Sequence, residues 1–465
     1  SNSIHGQQES HLISHEFLGQ TSSVLISFVS PLPAQHNVRL YKITYHTVDV
    51  HGEPTVATGA VAVPVASSSC NSFPVIAYCH GTVLRKYDVP SEGNYESTLM
   101  LAFASSGYIV VAPDYLGLGD NPGLHPYVHA ASEATATIDA IRAGQDLLLQ
   151  LEVTPVDELF VTGYSQGGQA AMETAKYIQE NDLIDDLHLV GAAPMSGPYN
   201  LSGSQAETIL SGEPYSNPGY IIYLLYSYQM VYGNLFEDLG DVIQSPYDTL
   251  VPPFFDGVQN SHDMSDVDAL LPTVIDELFV DTVLTNLHDN PDHPLWANLR
   301  DNDNFDWVPE IPLRMYYCGQ DEQVPAANSV SADSVMTANG ALDVLAVNVN
   351  NNGTHSTCVS PAVSAAYSFF DSLSVGCGFI TGLADFENPA PFRMYPNPAT
   401  VTINVDFIAD KGVFRLYTTK GERVLSKEIT PAGNRVDVGH LRAGTYVAEM
   451  EISGRLHRDL VVIAR

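Results

Sequence analysis

The segment Gly163-Tyr164-Ser165-Gln166-Gly167 lies between an apolar run, Leu159-Phe160-Val161-Thr162, and a helix-forming stretch, Gly168-Gln169-Ala170-Ala171-Met172-Glu173. A strand, a turn pinched between two glycines and then a helix leave few ways to fold. The serine must stand on a sharp, strained turn with its hydroxyl clear at the top of a sheet. The glycines are required because neighbouring backbone packs too closely there for a Cβ. G-x-S-x-G alone occurs by chance in many chains. Its position directly after a buried-strand pattern and before a helix is much rarer, and predicts Ser165 as the nucleophile of a serine hydrolase.

The surrounding chain supports a sheet at that point. Val38–Tyr45 and Ala57–Val65 read as extended segments around the turn His51-Gly52-Glu53-Pro54. Strands at Phe73–Cys79, Tyr108–Ala112, Leu159–Thr162 and Leu187–Ala193 then alternate with helices. One of these helices, Ala130–Leu151, carries Ile138, Ile141, Leu147 and Leu148 on one face. Short apolar strands alternating with amphipathic helices predict an α/β fold with a mostly parallel sheet covered on both sides. The alternation stops near Tyr199 and resumes with strands Leu313–Cys318 and Leu342–Val349 and a helix Pro361–Ser374. The excursion 199–309, with tyrosine-rich helical stretches, reads as a cap over the site or as an extra packing layer.

At 465 residues the chain calls for two domains, and charge shows where they divide. The net charge is −35; residues 390–465 hold 11 of the 19 Lys and Arg against 8 Asp and Glu. The first 389 residues hold 8 basic and 46 acidic ones, a balance of −38 against +3 in the tail. Such a body repels nucleic acid and anionic membranes, so neither is expected as a partner. The jump places a boundary near Asn388-Pro389-Ala390-Pro391. Tyr220–Phe236 is too short and too polar to span a membrane, which takes about 20 apolar residues. The first residues lack a basic and an apolar export region, so any such signal is expected to be already removed or never present.

Five cysteines (Cys70, Cys79, Cys318, Cys358, Cys377) are too few for a disulfide scaffold, and at least one must be free. Cys79 and Cys318 sit in apolar strand patterns and read as small buried hydrophobes. Cys358 and Cys377 flank the helix 361–374, whose length of about 20 Å argues against pairing them. His11 and His15 have the i, i+4 spacing of metal ligands but no third ligand in view, so no metal is expected. The loop 301–306 mixes Asp and Asn without the glycine and terminal glutamate of a calcium loop, and reads as solvated.

A serine hydroxyl needs a base, and the base an orienting carboxylate. In this strand order the acid should follow the next strand and the histidine the last one. Asp321 stands on the turn after Leu313–Cys318, and His355 directly follows the loop after Leu342–Val349. Glu322 is the rival acid, but only one of two adjacent side chains can face the histidine, and Asp321 is preferred. Two backbone N–H groups should hold the oxyanion. Gln166 follows the nucleophile, and Thr82 lies in the loop His80-Gly81-Thr82, where the glycine lets the backbone turn inward. His80 reads as a structural loop histidine. The tyrosines 220, 223, 226, 228 and 232 suit an acyl-binding wall or a plain core helix equally. No cofactor is expected.

With these residues in place, the chain resembles the α/β-hydrolases, and within them the secretory lipase group, the Candida lipase A-like branch and its bacterial relatives. The likeness spans about residues 20–375. It rests on Asp114-Tyr115-Leu116-Gly117-Leu118-Gly119 with His125-Pro126-Tyr127, on Gly163–Gly168, on the long insertion and on Gly319–Pro325. It implies ester hydrolysis by Ser165, Asp321 and His355, with a catalytic domain at 1–387. The loop His80-Gly81-Thr82 departs from the fungal oxyanion arrangement. The rival activities on this fold are a carbohydrate (acetyl or feruloyl) esterase and a serine peptidase. A third possibility is a binding module that has lost catalysis.

The tail, 388–465, has its own likeness. Met394-Tyr395-Pro396-Asn397-Pro398-Ala399, Leu416-Tyr417 with Lys420-Gly421, and Leu441-Arg442-Ala443-Gly444-Thr445-Tyr446 are similar to the C-terminal sorting domain of the type IX secretion system. Short alternating strands such as 401–406 and 445–450 suit a small β-sandwich. The resemblance implies a Bacteroidota-type exporter as partner of residues 390–465 and a secreted or surface-held product.

Overall fold

Strands that are apolar on both faces can be buried only between two layers of helices. The computed structural model describes residues 10–66, 71–93, 95–374, 392–396, 398–407, 409, 411–418, 423–452 and 455–464. Among the described residues, nine strands form one sheet: β1 (Leu12–Thr21), β2 (Val38–Val48), β3 (Pro54–Pro64), β4 (Val75–Cys79), β5 (Ile109–Pro113), β6 (Leu159–Tyr164), β7 (Leu189–Met195), β8 (Leu313–Cys318) and β9 (Val344–Asn350). Their spatial order is β1-β2-β3-β5-β4-β6-β7-β8-β9. The first three are an antiparallel meander, β3 meets β5 antiparallel, and β4 to β9 all pair in parallel.

The faces of β4 show how the layers divide. Val75, Ala77 and Cys79 pack with Ile138, Ile141 and Leu147 of the long helix Ala130–Gln150 and with Ala170, Ala171 and Met172 of the elbow helix Gln166–Glu180. Ile76 and Tyr78 pack on the other side with Met100 and Phe103 of Tyr95–Ser105 and with Ala362, Val363 and Phe370 of the last helix, His355–Leu373.

Two elements depart from the sequence reading. Strand β1 was not expected, because most of its residues are exposed and no alternation marks it. It is a solvent-facing edge. His15 lies on it and His11 just before it, so the pair does not have the helical i, i+4 spacing of metal ligands. His11 lies 3.8 Å from Asp139, and His15 meets the ring of Tyr41. The last helix begins at His355 rather than at Pro361, which lies inside it. Thr354 and Thr357 form a capping box that sets this start, at the cost of the one N–H that proline lacks.

Between β7 and β8 the chain makes a helical excursion with its own core. Tyr223, Tyr228, Ile222 and Leu225 of the helix Gly219–Tyr232 pack with Ile243, Leu278 and Phe279, and with Tyr127 and Val128 from the sheet body. The loop 301–306 is not simply solvated. Asn302 and Asn304 are buried, Asn302 accepts from the N–H of Ala130 (2.8 Å), and Asp303 accepts from the hydroxyl and N–H of Ser202.

The tail folds into two antiparallel sheets. One has the order β10 (Phe392–Tyr395), β11 (Thr402–Phe407), β14 (Arg435–Asp437). The other runs β13 (Arg423–Ile429), β12 (Gly412–Thr418), β15 (Gly444–Ile452), β16 (Arg455–Ile463). Ile403 and Val405 face Phe414, Leu416 and Met450 in a shared core, the sandwich that the alternating pattern predicts. The boundary residues 388–391, Asn397, Lys420-Gly421, Cys70 and Cys377 lie outside the described residues. Among the described residues no helix is long and apolar enough to cross a membrane.

Candidate active site

Strand β6 ends at Tyr164, and Ser165 follows with φ 62° and ψ −122°, a region that a residue with a side chain rarely adopts. The glycines make this turn possible. A Cβ on Gly163 would strike the carbonyls of Gly167 and Cys79, and one on Gly167 would strike those of Cys79 and His80. The hydroxyl of Ser165 stands 2.9 Å from Nε2 of His355. Nδ1 of His355 lies 2.8 and 2.9 Å from the two carboxylate oxygens of Asp321.

The structure thus brings Ser165, His355 and Asp321 into one hydrogen-bonded line from three separate connections. Asp321 and His355 are buried, and Asp321 also accepts the N–H groups of Gln323 (3.1 Å) and Val324 (2.9 Å), which fix its rotamer. Glu322 points elsewhere: its carboxylate accepts the backbone N–H of His355 at 3.1 Å, at the start of the last helix. The hydroxyl of Tyr164 donates to the carbonyl of His355 at 2.5 Å, pinning the same residue from below.

Gln166 is the first residue of the elbow helix, where a backbone N–H has no partner within the helix. Thr82 directs its hydroxyl to that of Tyr127, 3.1 Å away. His80 is wholly buried between Gly81 and the carbonyl of Asp114 and packs on Tyr115, as befits a structural histidine.

Cys318 is not a simple apolar filler. It is bonded to Cys358, joining the end of β8 to the first turn of the last helix. Three residues after Cys318 comes Asp321, and three before Cys358 comes His355, so the bridge ties together the two backbones that carry them. The adjacent apolar pattern hid this pairing, whose partners are 40 residues apart. Cys79 is free and buried, and burial pushes its thiol up to about 12.

Beside Ser165 a cavity opens under the excursion. It is lined by Gln166, Leu201, Ile209, Tyr220, Ile221 and Leu224, together with Trp296 and Leu299, and almost all of its wall is apolar. The tyrosines of this helix divide: Tyr220 lines the cavity, whereas Tyr223 and Tyr228 are core.

A second set of buried polar groups meets at Gln166, and the sequence did not single it out. The side-chain amide of Gln166 lies 2.6 Å from Nε2 of His125 and 2.6 Å from the carboxyl of Glu133. Among the described residues, no cluster of His, Cys, Asp and Glu could hold a metal ion.

A chlorophyllase family model matches residues 36–221, and a model of the secretion system C-terminal sorting domain matches residues 393–463. The rice cell wall degrading esterase LipA from Xanthomonas oryzae is 30% identical. The alignment covers 78% of this chain and 97% of that one, with a TM-score of 0.70. A Legionella pneumophila protein is 26% identical over 78% of this chain and 98% of its own, with a TM-score of 0.71. Candida antarctica lipase A shares the fold at 16% identity and a TM-score of 0.57, over 79% of this chain and 84% of its own. No curated protein sequence matches the chain.

Proposed function

We infer the activity of this chain from its family: it belongs to the α/β-hydrolases of the LipA esterase type, and it carries a C-terminal sorting domain for secretion. It is an ester hydrolase bound for the cell exterior or surface. The finer reading is a serine mechanism. Ser165 attacks the acyl carbonyl, His355 takes the hydroxyl proton and returns it to the leaving alcohol, and Asp321 holds the imidazole in the required tautomer. Water then releases the acyl group from Ser165 by the same relay.

The N–H groups of Gln166 and Thr82 hold the oxyanion, and losing one such donor typically costs about 3 kcal/mol of transition-state stabilisation. The observation that carries this reading is the unbroken line Ser165–His355–Asp321, at 2.9 and 2.8 Å, opening onto an apolar cavity. The cavity suits the aliphatic acyl part of an ester, with residues 199–309 acting as its cap over a catalytic domain of residues 1–387. The secretion machinery is the expected partner of residues 390–465.

The test is turnover of p-nitrophenyl esters from acetate to palmitate. Replacing Ser165 by Ala should lower kcat on the order of 10⁶-fold, and retained turnover would remove Ser165 from the mechanism. A maximum at medium or long acyl length is expected from the cavity.

The name of the LipA relative favours a second reading, in which the alcohol part of the ester is a cell-wall carbohydrate. Acetyl- and feruloyl-sugar esters assayed beside the aliphatic series separate the two. A serine peptidase reading would require cleavage of amide substrates, tested in the same way.

A further inference from the structure

Gln166 carries a polar side chain into a place with almost no exposure, and its amide must find partners there. Its nitrogen finds two on separate elements, while among the described residues its Oε1 has none. His125 follows β5, and Glu133 lies in the first turn of the long helix. Nδ1 of His125 donates to the carbonyl of Leu116 at 2.8 Å, so its Nε2 is the lone-pair side and accepts from the Gln166 amide. The second amide hydrogen goes to Oε1 of Glu133, which also accepts the N–H of Val128 at 3.1 Å. The side chains of His125 and Glu133 are 1% and 0% exposed.

We propose that Glu133 and His125 are positioning residues for the oxyanion site, holding the side chain of Gln166 and through it the backbone N–H at the first position of the elbow helix. The proposal rests on the serine mechanism above. Neither residue touches substrate. What they fix is the rotamer and hence the backbone aim of the one residue that follows the nucleophile.

The hydrogen bonds of the cluster require a neutral His125, and burial disfavours charge on Glu133. An imidazolium could not accept from the amide, and burial pulls His125 down to about 3. Among the described residues, Oε2 of Glu133 has no hydrogen-bond partner, a modest cost for a neutral acid and a large one for a carboxylate. Burial accordingly pushes Glu133 up to about 8, against the opposing pull of Gln166 and Val128.

Ionised, it would set a buried negative charge directly behind the donor that must stabilise an oxyanion. The groups that face it do not supply a counter-charge. Burial raises Cys79 on β4, Tyr115 and Tyr127 near β5, Tyr223 and Tyr228 in the excursion, and Glu173 on the elbow helix, keeping each toward its neutral form.

The experiment is a pH-stat measurement of kcat and KM on the full chain from pH 7 to 10. The wild type is expected to lose kcat in a limb centred near pH 8, with KM little changed. E133Q, which keeps the shape and cannot ionise, should retain activity and lose the limb. E133D, one methylene shorter, should lower kcat at pH 7 about tenfold or more with KM little changed. E173Q is the control and should leave the limb in place.

A folded wild type with flat kcat from pH 7.5 to 9.5 would overturn the proposal even if E133Q failed to fold, as would an E133Q profile identical to the wild type. The S165A control keeps the two readings apart, because activity surviving in S165A sinks the serine mechanism and not the pH dependence of the cluster.

Discussion

At the scale of single residues, adjacent side chains at a strand end cannot both face one histidine, so the chain offers Asp321 or Glu322 as the acid, with Asp321 preferred. The structure assigns them different work: Asp321 meets the imidazole, and Glu322 meets a backbone N–H. Asp321→Asn should therefore reduce kcat about 10⁴-fold with a smaller change in KM, by losing the imidazole's tautomer. Glu322→Gln should change kcat less than tenfold, since an amide oxygen can still accept from His355. Equal losses in the two variants would mean that the acid has been misassigned. His125 and Glu133 were not legible in the same way. They lie 41 and 33 positions from Gln166, and nothing local announces that they meet its amide. The stretch His125-Pro126-Tyr127 carries part of the family likeness, and Gln166 is a polar side chain at the head of a helix that must be buried. A hint of that kind says that partners exist without naming them.

At the scale of elements, the parallel strands and their helices were readable because each is short, apolar and bounded by turns. Errors fell where a local signal misled. Pro361 looked like a first helical residue and was an internal one, while the true start was encoded by the quieter pair Thr354 and Thr357. Apolar neighbours made Cys318 look like a filler, since disulfide partners cannot be read from one strand. The bridge between β8 and the last helix closes a separation of 40 residues, for which the loop-entropy estimate is about 4 kcal/mol. Replacing Cys318 and Cys358 together by Ala should lower stability by roughly 2–4 kcal/mol in urea unfolding. It should also reduce kcat more than KM, because the acid and the base are carried on the two joined segments. A double variant with wild-type kcat would make the bridge a matter of stability alone. In the excursion, Leu224→Trp should fill the cavity beside Ser165 and move the preferred acyl length downward in the ester series, with short-chain turnover kept.

At the scale of the whole molecule, the charge balance of −38 before residue 390 and +3 after it separates two parts that differ in kind. The acidic part holds the nine-stranded sheet and the candidate site, and the tail is a sandwich with its own apolar core. Deleting residues 390–465 should leave ester hydrolysis of the purified protein intact and stop its release from cells. Loss of hydrolysis in the purified truncated protein would show that the tail supports the body as well as addressing it. The excess of acid also predicts that the body stays off anionic vesicles at any salt, measured by co-sedimentation.

The Cys318–Cys358 bond has one more consequence, which concerns timing. Thiols are kept reduced in the cytoplasm, so this bond cannot persist where the chain is made. If the acid and base turns depend on it, the newly made chain is a poor hydrolase until it has left that compartment. The producing cell's own esters would then be spared by the same chemistry that later arms the exported protein.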